Sequence, residues 1–94
     1  MAVYRVLFYD YVADMLELRA PYREAHLERI AAEREAGRIS MAGPLGDPPS
    51  GALIVFAEGV GDDAIEQFVA ADPYVTAGLV TAHRIEPWAV VTSA

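Results

Sequence analysis

The 94-residue chain is long enough for one hydrophobic core and too short for two, so it is read as a single domain over residues 1–94. Its 14 acidic and 7 basic residues leave a net charge of −7, which excludes phosphate-backbone binding, a task that needs clustered cations. The absence of cysteine excludes disulfides, thiolate metal sites and thiol nucleophiles.

The segment Val3–Val12 reads VYRVLFYDYV, which predicts a strand. Val3, Leu7 and Tyr9 fall on one of its faces and Tyr4, Val6 and Phe8 on the other, so both faces need a cover. Asp14, followed three residues later by Glu17, predicts a capped helix start. That helix extends to Ala36, where Gly37 supplies the stop. Pro21 lacks the N–H that would bond back to Glu17, so a kink or restart is expected near Ala20. Beyond it, Tyr22, His26, Leu27, Ile30 and Ala31 form an apolar stripe at helical spacing, with Arg23 and Glu33 near its two ends. An Arg29–Glu33 pair is expected at its edge.

Arg38–Leu45 and Ala52–Glu58 predict two further strands, joined through the Pro48-Pro49 loop as a hairpin. Asp62 or Asp63 is expected to cap a second helix that runs through Ala71 and presents Ile65, Phe68 and Val69. Asp72-Pro73 ends it, because a residue before proline avoids the helical region. A last strand, Val80–Val91, completes a β-α-β-β-α-β order. The order predicts an α+β, ferredoxin-like fold: a four-stranded antiparallel sheet with both helices on one face. Strands apolar on both faces, in a chain that is 54% hydrophobic, fit this layout when the bare sheet faces pack against each other. Two chains then form a dimeric α/β barrel, and a homodimer is expected.

Two residues stand out chemically. His26 sits within the apolar stripe of the first helix, pointed at the sheet. Imidazole exchanges a proton near neutral pH, although a core histidine satisfied by one hydrogen bond is the plainer explanation of that position. Asp72 before Pro73 is a good N-cap for a short helical turn, and one carboxylate oxygen can cap while the other orients an imidazole. Tyr9, Tyr74 and Trp88 are candidates to line an aromatic pocket against His26, though core packing also accounts for them. His83 in the last strand reads as a surface or interface residue. Arg5 could bind an anion or pair with Glu86. Two histidines without a carboxylate cluster make no three-ligand metal site. Gly43-Pro44-Leu45-Gly46 lacks the lysine and helix start of a phosphate loop.

Four segments occur in register: Arg23-Glu24-Ala25-His26-Leu27, Met41-Ala42-Gly43-Pro44-Leu45, Ala71-Asp72-Pro73-Tyr74 with Ala77-Gly78-Leu79, and Ile85-Glu86-Pro87-Trp88. Together they resemble the YciI-like (YCII-related) family over nearly the whole chain. The resemblance implies the dimeric ferredoxin-like barrel and matches His26 and Asp72 to the family's His–Asp active pair. Gly43 and Pro44 of the second segment join Tyr9, Tyr74 and Trp88 as substrate-binding candidates, and the Pro48-Pro49 loop is a candidate for the pocket mouth.

Two classes of function follow. In the first, the chain is a small cofactor-free enzyme in which His26 moves a proton, Asp72 fixes its tautomer, and a small aromatic or carbonyl molecule undergoes elimination, isomerisation or hydrolysis. In the second, it is a non-catalytic small-molecule-binding or accessory dimerisation module. No cofactor, metal, nucleic acid or membrane partner is expected. The first residues lack a signal-peptide layout, and the apolar runs fall well short of the roughly 18 residues a span requires, so a cytoplasmic location is expected.

Overall fold

The computed structural model describes residues 2–93. Its elements run β1 (Ala2–Tyr11), α1 (Met15–Leu18), α2 (Arg23–Glu35), β2 (Ile39–Leu45), β3 (Gly51–Phe56), α3 (Asp62–Ala71), α4 (Pro73–Thr76) and β4 (Val80–Val90). The four strands form one antiparallel sheet in the order β2-β3-β1-β4. This is the βαββαβ arrangement that the alternation of strand and helix patterns predicts.

Strand alternation divides the sheet into two unlike faces. Leu7 and Tyr9 of β1, Ala52, Ile54 and Phe56 of β3, and Ile39 of β2 form the core with Ile65, Phe68 and Val69 of α3. Burying each large apolar side chain there contributes about 1.5–3 kcal/mol. The even-numbered residues of β1 face the other way. They pair with Val55 and Leu53 of β3 and with Trp88, Glu86 and Arg84 of β4. Among the described residues no helix covers that side.

Gly51 sets the spacing of the central strands. A Cβ on it would lie 2.2 Å from the Tyr9 carbonyl oxygen, so only glycine lets β3 approach β1 at this point. The register between β1 and β4 shifts between Asp10 and Tyr11, and that between β2 and β3 shifts between Ile39 and Met41. Both irregularities lie at strand ends, where bulges re-aim side chains.

At Pro21 the restart, of the two outcomes expected, is the one seen: α1 ends at Leu18 and α2 begins at Arg23, with the intervening turn closed by the Tyr22 N–H donating to the Arg19 carbonyl at 2.8 Å. Several local expectations need correction. Asp14 makes no side-chain cap. It sits in the left-handed region at φ 61, and its backbone carbonyl receives the Glu17 and Leu18 N–H groups, both at 3.0 Å. Gly61, not Asp62 or Asp63, occupies the cap position of α3. The stripe on α2 is rotated from the one predicted. His26 is buried and Arg29, Ile30 and Glu33 are half-buried, whereas Tyr22, Leu27 and Ala31 are exposed.

The rotation has a cause in Arg29. Its guanidinium lies 4.5 Å from the Phe68 ring centroid and donates to the Phe68 carbonyl at 3.0 Å, which ties α2 to α3 through a cation–π contact. Arg29 is therefore engaged elsewhere, and Glu33 takes Arg38 as its partner. Arg5 likewise does not meet Glu86, which lies on the opposite face. It pairs with Asp62 at 2.8 Å and donates to the Val60 carbonyl at 3.0 Å. His83 is a surface residue whose Nε2 contacts Glu66 of α3 at 3.0 Å.

Candidate active site

Asp72 is the meeting point of three elements. As the residue between α3 and α4 it has an extended backbone, and its Oδ1 accepts from the Tyr74 N–H at 3.0 Å, which caps α4 at its proline-led first turn. The same carboxylate lies 2.8 Å from Nδ1 of His26 on α2. Its other oxygen accepts from the Tyr9 hydroxyl of β1 at 2.8 Å. The carboxylate is fully buried, yet three donors converge on it, which is the condition under which a buried anion is tolerated.

These contacts determine the state of the imidazole. A carboxylate that accepts at both oxygens holds His26 with its proton on Nδ1, leaving the lone pair on Nε2. Nε2 has no partner among the described residues, and it is not sealed from solvent. The Tyr74 ring stacks on the imidazole at 3.8 Å between centroids and 10° between planes, so the ring cannot rotate freely. A base held in one tautomer and one orientation, with a buried carboxylate behind it, is equipped to accept a proton and to stabilise the imidazolium that forms.

The phenols around it are held protonated. Burial, and then the charge and hydrogen bond of Asp72, push Tyr9 far above the ordinary phenol range. Burial, with the neighbouring Tyr74 and Asp72 adding to it, pushes Tyr11 up to about 12. Tyr9 is thus a permanent donor to Asp72 at any pH near neutrality.

His26 and Tyr74 open on a cavity of about 150 Å³. Gly43 and Pro44 of β2, Ile30 of α2 and Ile54 of β3 line it too, together with Arg19 at the end of α1 and Arg23 at the start of α2. An apolar cavity of about this size holds a benzene-sized molecule. Of the candidates read from the sequence, His26, Asp72, Tyr9 and Tyr74 come together as one connected group, and Gly43 and Pro44 line the cavity.

Trp88 does not join them. It pairs with Tyr4 across β1 and β4, so it projects from the bare face, 45% exposed. The Pro48-Pro49 loop is also displaced from the cavity mouth and lines a neighbouring hollow with Tyr11 and residues 12–17. Sequence reasoning missed Arg19 and the role of the Tyr9 hydroxyl. The position of Arg23, three residues before His26 and so on the same helix side, was the one available signal for the arginines. Among the described residues no cluster of His, Cys, Asp or Glu could hold a metal ion, and no helix is long and apolar enough to cross a membrane.

The fold has counterparts among solved structures. A 5-chloro-2-hydroxyhydroquinone dehydrochlorinase (TftG) from Burkholderia phenoliruptrix AC1100, solved in complex with 2,5-dihydroxybenzoquinone, superposes with a TM-score of 0.75 at 23% identity, covering 92% of this chain and 93% of that one. A protein of Deinococcus radiodurans assigned to the antibiotic biosynthesis monooxygenases superposes with a TM-score of 0.56 at 17% identity, covering 98% and 95%. At those identities the likeness establishes the fold. Sequence comparison goes further: the proteins YciI of Escherichia coli O6:H1 and of Shigella flexneri are each 33% identical over 91 residues, 88% of this chain and 93% of theirs. With residues 3–89 matching the YCII-related domain, the chain belongs to the YCII-related family.

Proposed function

We propose that this protein is a cofactor-independent enzyme in which Nε2 of His26 takes a proton from a small aromatic or carbonyl compound bound in the adjoining cavity. The observation that carries this reading is the buried Asp72 carboxylate 2.8 Å from Nδ1 of His26, with Nε2 left unpartnered beside a benzene-sized space. On proton uptake the imidazolium gains the Coulombic attraction of Asp72, and the Tyr9 hydroxyl and Tyr74 N–H hold the carboxylate in place.

Elimination is the reaction favoured among those open to such a base. His26 removes a proton, the electron pair of the broken bond forms a new double bond, and a leaving group departs from the neighbouring atom with its own pair. The proton then passes from the imidazolium to solvent. The likeness in fold to a dehydrochlorinase supports that choice over isomerisation or hydrolysis.

The working unit is a homodimer in which the bare sheet faces of two copies pack together as an α/β barrel. Met41, 60% exposed, and Trp88, 45% exposed, support this by leaving apolar surface on a sheet face that no helix of the described residues covers.

Proton exchange tests the catalytic reading with a panel of simple compounds in place of the substrate itself. Small hydroxylated quinones and ring ketones are incubated with protein in D₂O, and deuterium incorporation at carbon is followed by NMR. Wild-type protein should accelerate exchange of at least one compound, and His26→Ala should reduce that rate by roughly 10²–10⁴ while leaving the fold intact. Exchange that persists in His26→Ala would remove His26 from the proton-transfer role, and an absence of exchange across the panel would favour the second reading, a non-catalytic binding module whose buried network serves only to join β1, α2 and α4.

A further inference from the structure

The α1–α2 side of the His26 cavity carries two arginines that the fold itself does not use. Arg5 and Arg38 are each bound to a carboxylate. Arg19 and Arg23 make no ion pair among the described residues, although the chain has 14 acidic side chains to offer.

Arg23 is also badly placed for its own helix. It is the first residue of α2, whose N-cap Tyr22 provides no side-chain cap. A cation there faces the positive end of the helix dipole, where an acid would be stabilising. Local rules broken in this way mark sites kept for another purpose.

A third group lies with them. The Tyr74 ring lines the same cavity, and its hydroxyl is buried with no hydrogen-bond partner among the described residues. The charges of Arg19 and Arg23 act on that hydroxyl against the upward push of burial, yet Arg23 does not meet it in hydrogen-bond geometry. A buried hydroxyl without an acceptor is costly, and two unpaired guanidinium groups beside it present five donors each. All three lack the same thing, an anionic oxygen.

We propose that the cavity binds a small planar anion, an aromatic ring bearing a carboxylate or phenolate oxygen, held by Arg19, Arg23 and the Tyr74 hydroxyl with its ring against Ile30 and Ile54. The local pair of cations overcomes the repulsion expected from a chain of net charge −7. Anchoring the charged oxygen on the arginine side directs the rest of the ring toward His26. The proposal deepens the reading of this cavity as the proton-transfer site, and it rests on that reading for its choice of ligand size.

Benzoate and benzamide have the same shape and differ in charge, so they separate anion recognition from apolar fit. Each is titrated into ¹⁵N-labelled protein while the backbone amide shifts of His26 and Tyr74 are followed. Benzoate should bind about tenfold more tightly than benzamide, and added salt should narrow the difference. The double change Arg19→Gln with Arg23→Gln should abolish the preference. Both side chains lie outside the core, one half-buried and one exposed, so the variant should keep a dispersed spectrum. Tyr74→Phe retains the ring stacked on His26 and should lower the preference by about threefold.

Equal affinity for the two probes, binding of neither, or a preference that survives loss of both arginines would overturn the proposal. His26→Ala keeps the two readings apart. Its arginine-dependent preference for benzoate should persist after proton exchange is lost. A wild-type protein that prefers benzoate through its arginines but exchanges no protons would contradict the catalytic reading alone.

Discussion

The two faces of the one sheet do different work with the same strands. On the helix-covered face, Tyr9 sits in an otherwise apolar core, and its hydroxyl reaches the one buried carboxylate among the described residues. One residue along β1 in either direction, Phe8 and Asp10 point to the other side, where no helix of the described residues lies. That side is also apolar, with Tyr4, Val6, Phe8, Leu53, Val55, Met41 and Trp88, and its charged groups on β4, Arg84 and Glu86, sit opposite Phe8 and Val6. Arg84 has its guanidinium 3.9 Å from the Phe8 ring centroid. The difference teaches that parity along a strand sends the buried polar network to one face and leaves the other apolar, with no helix over it among the described residues. A slip of one residue would exchange them.

The contrast can be broken most severely on the bare face. Trp88→Asp places a charge where a second sheet is proposed to pack, opposite Tyr4 rather than a cation, and burial of an unpaired carboxylate there is prohibitive. Sedimentation at micromolar concentration should show a dimer for wild-type protein and a monomer for the variant. An unchanged dimer would mean that the chains associate through another surface.

The next largest effect belongs to the covered face. Asp72→Ala leaves the Tyr9 hydroxyl, the Tyr74 N–H and Nδ1 of His26 without their acceptor in a dry site. Urea denaturation should register a loss of about 3 kcal/mol, because each abandoned buried donor carries a penalty of its own. The dimer should survive the change. A loss well under 1 kcal/mol would show that the three donors find other partners.

The smallest effect concerns pH. Burial raises Tyr11 from the ordinary 10 to about 12, and Tyr9 and Tyr74 are raised as well, so the native state retains phenolic protons that the unfolded chain gives up. For groups raised on folding the stabilisation is complete below about pH 10 and is lost as pH climbs through the native value. Alkaline titration followed by tyrosinate absorbance should therefore show part of the phenol signal delayed past pH 10 in native protein and none delayed in urea. Full ionisation of the native protein near pH 10 would contradict the burial of these rings.

Much of this organisation was legible in the residues. The apolar character of both faces of β1, the hairpin at the Pro48-Pro49 loop and the helix ended by Asp72-Pro73 all follow from local chemistry, and they give the βαββαβ order. The pairing of His26 with Asp72 was legible only through resemblance, since 46 residues separate them and neither outweighs its plainer structural role alone. Trp88 was misplaced because its face depends on the register between β4 and β1, and hydrophobic patterning does not specify register. The inward side of α2 was misjudged because Arg29, charged in sequence, is held inside by the Phe68 ring and carbonyl. Long-range partners of this kind leave no trace in periodicity.

The central claim is that neutral His26 carries its proton on Nδ1, held by Asp72, and its lone pair on Nε2. Long-range ¹H–¹⁵N NMR of the imidazole at neutral to mildly alkaline pH measures this directly. Nδ1 should resonate in the protonated, pyrrole-like range and Nε2 in the unprotonated, pyridine-like range. The reverse assignment, with the proton on Nε2, would mean that the nitrogen facing the cavity carries no lone pair and would contradict the account.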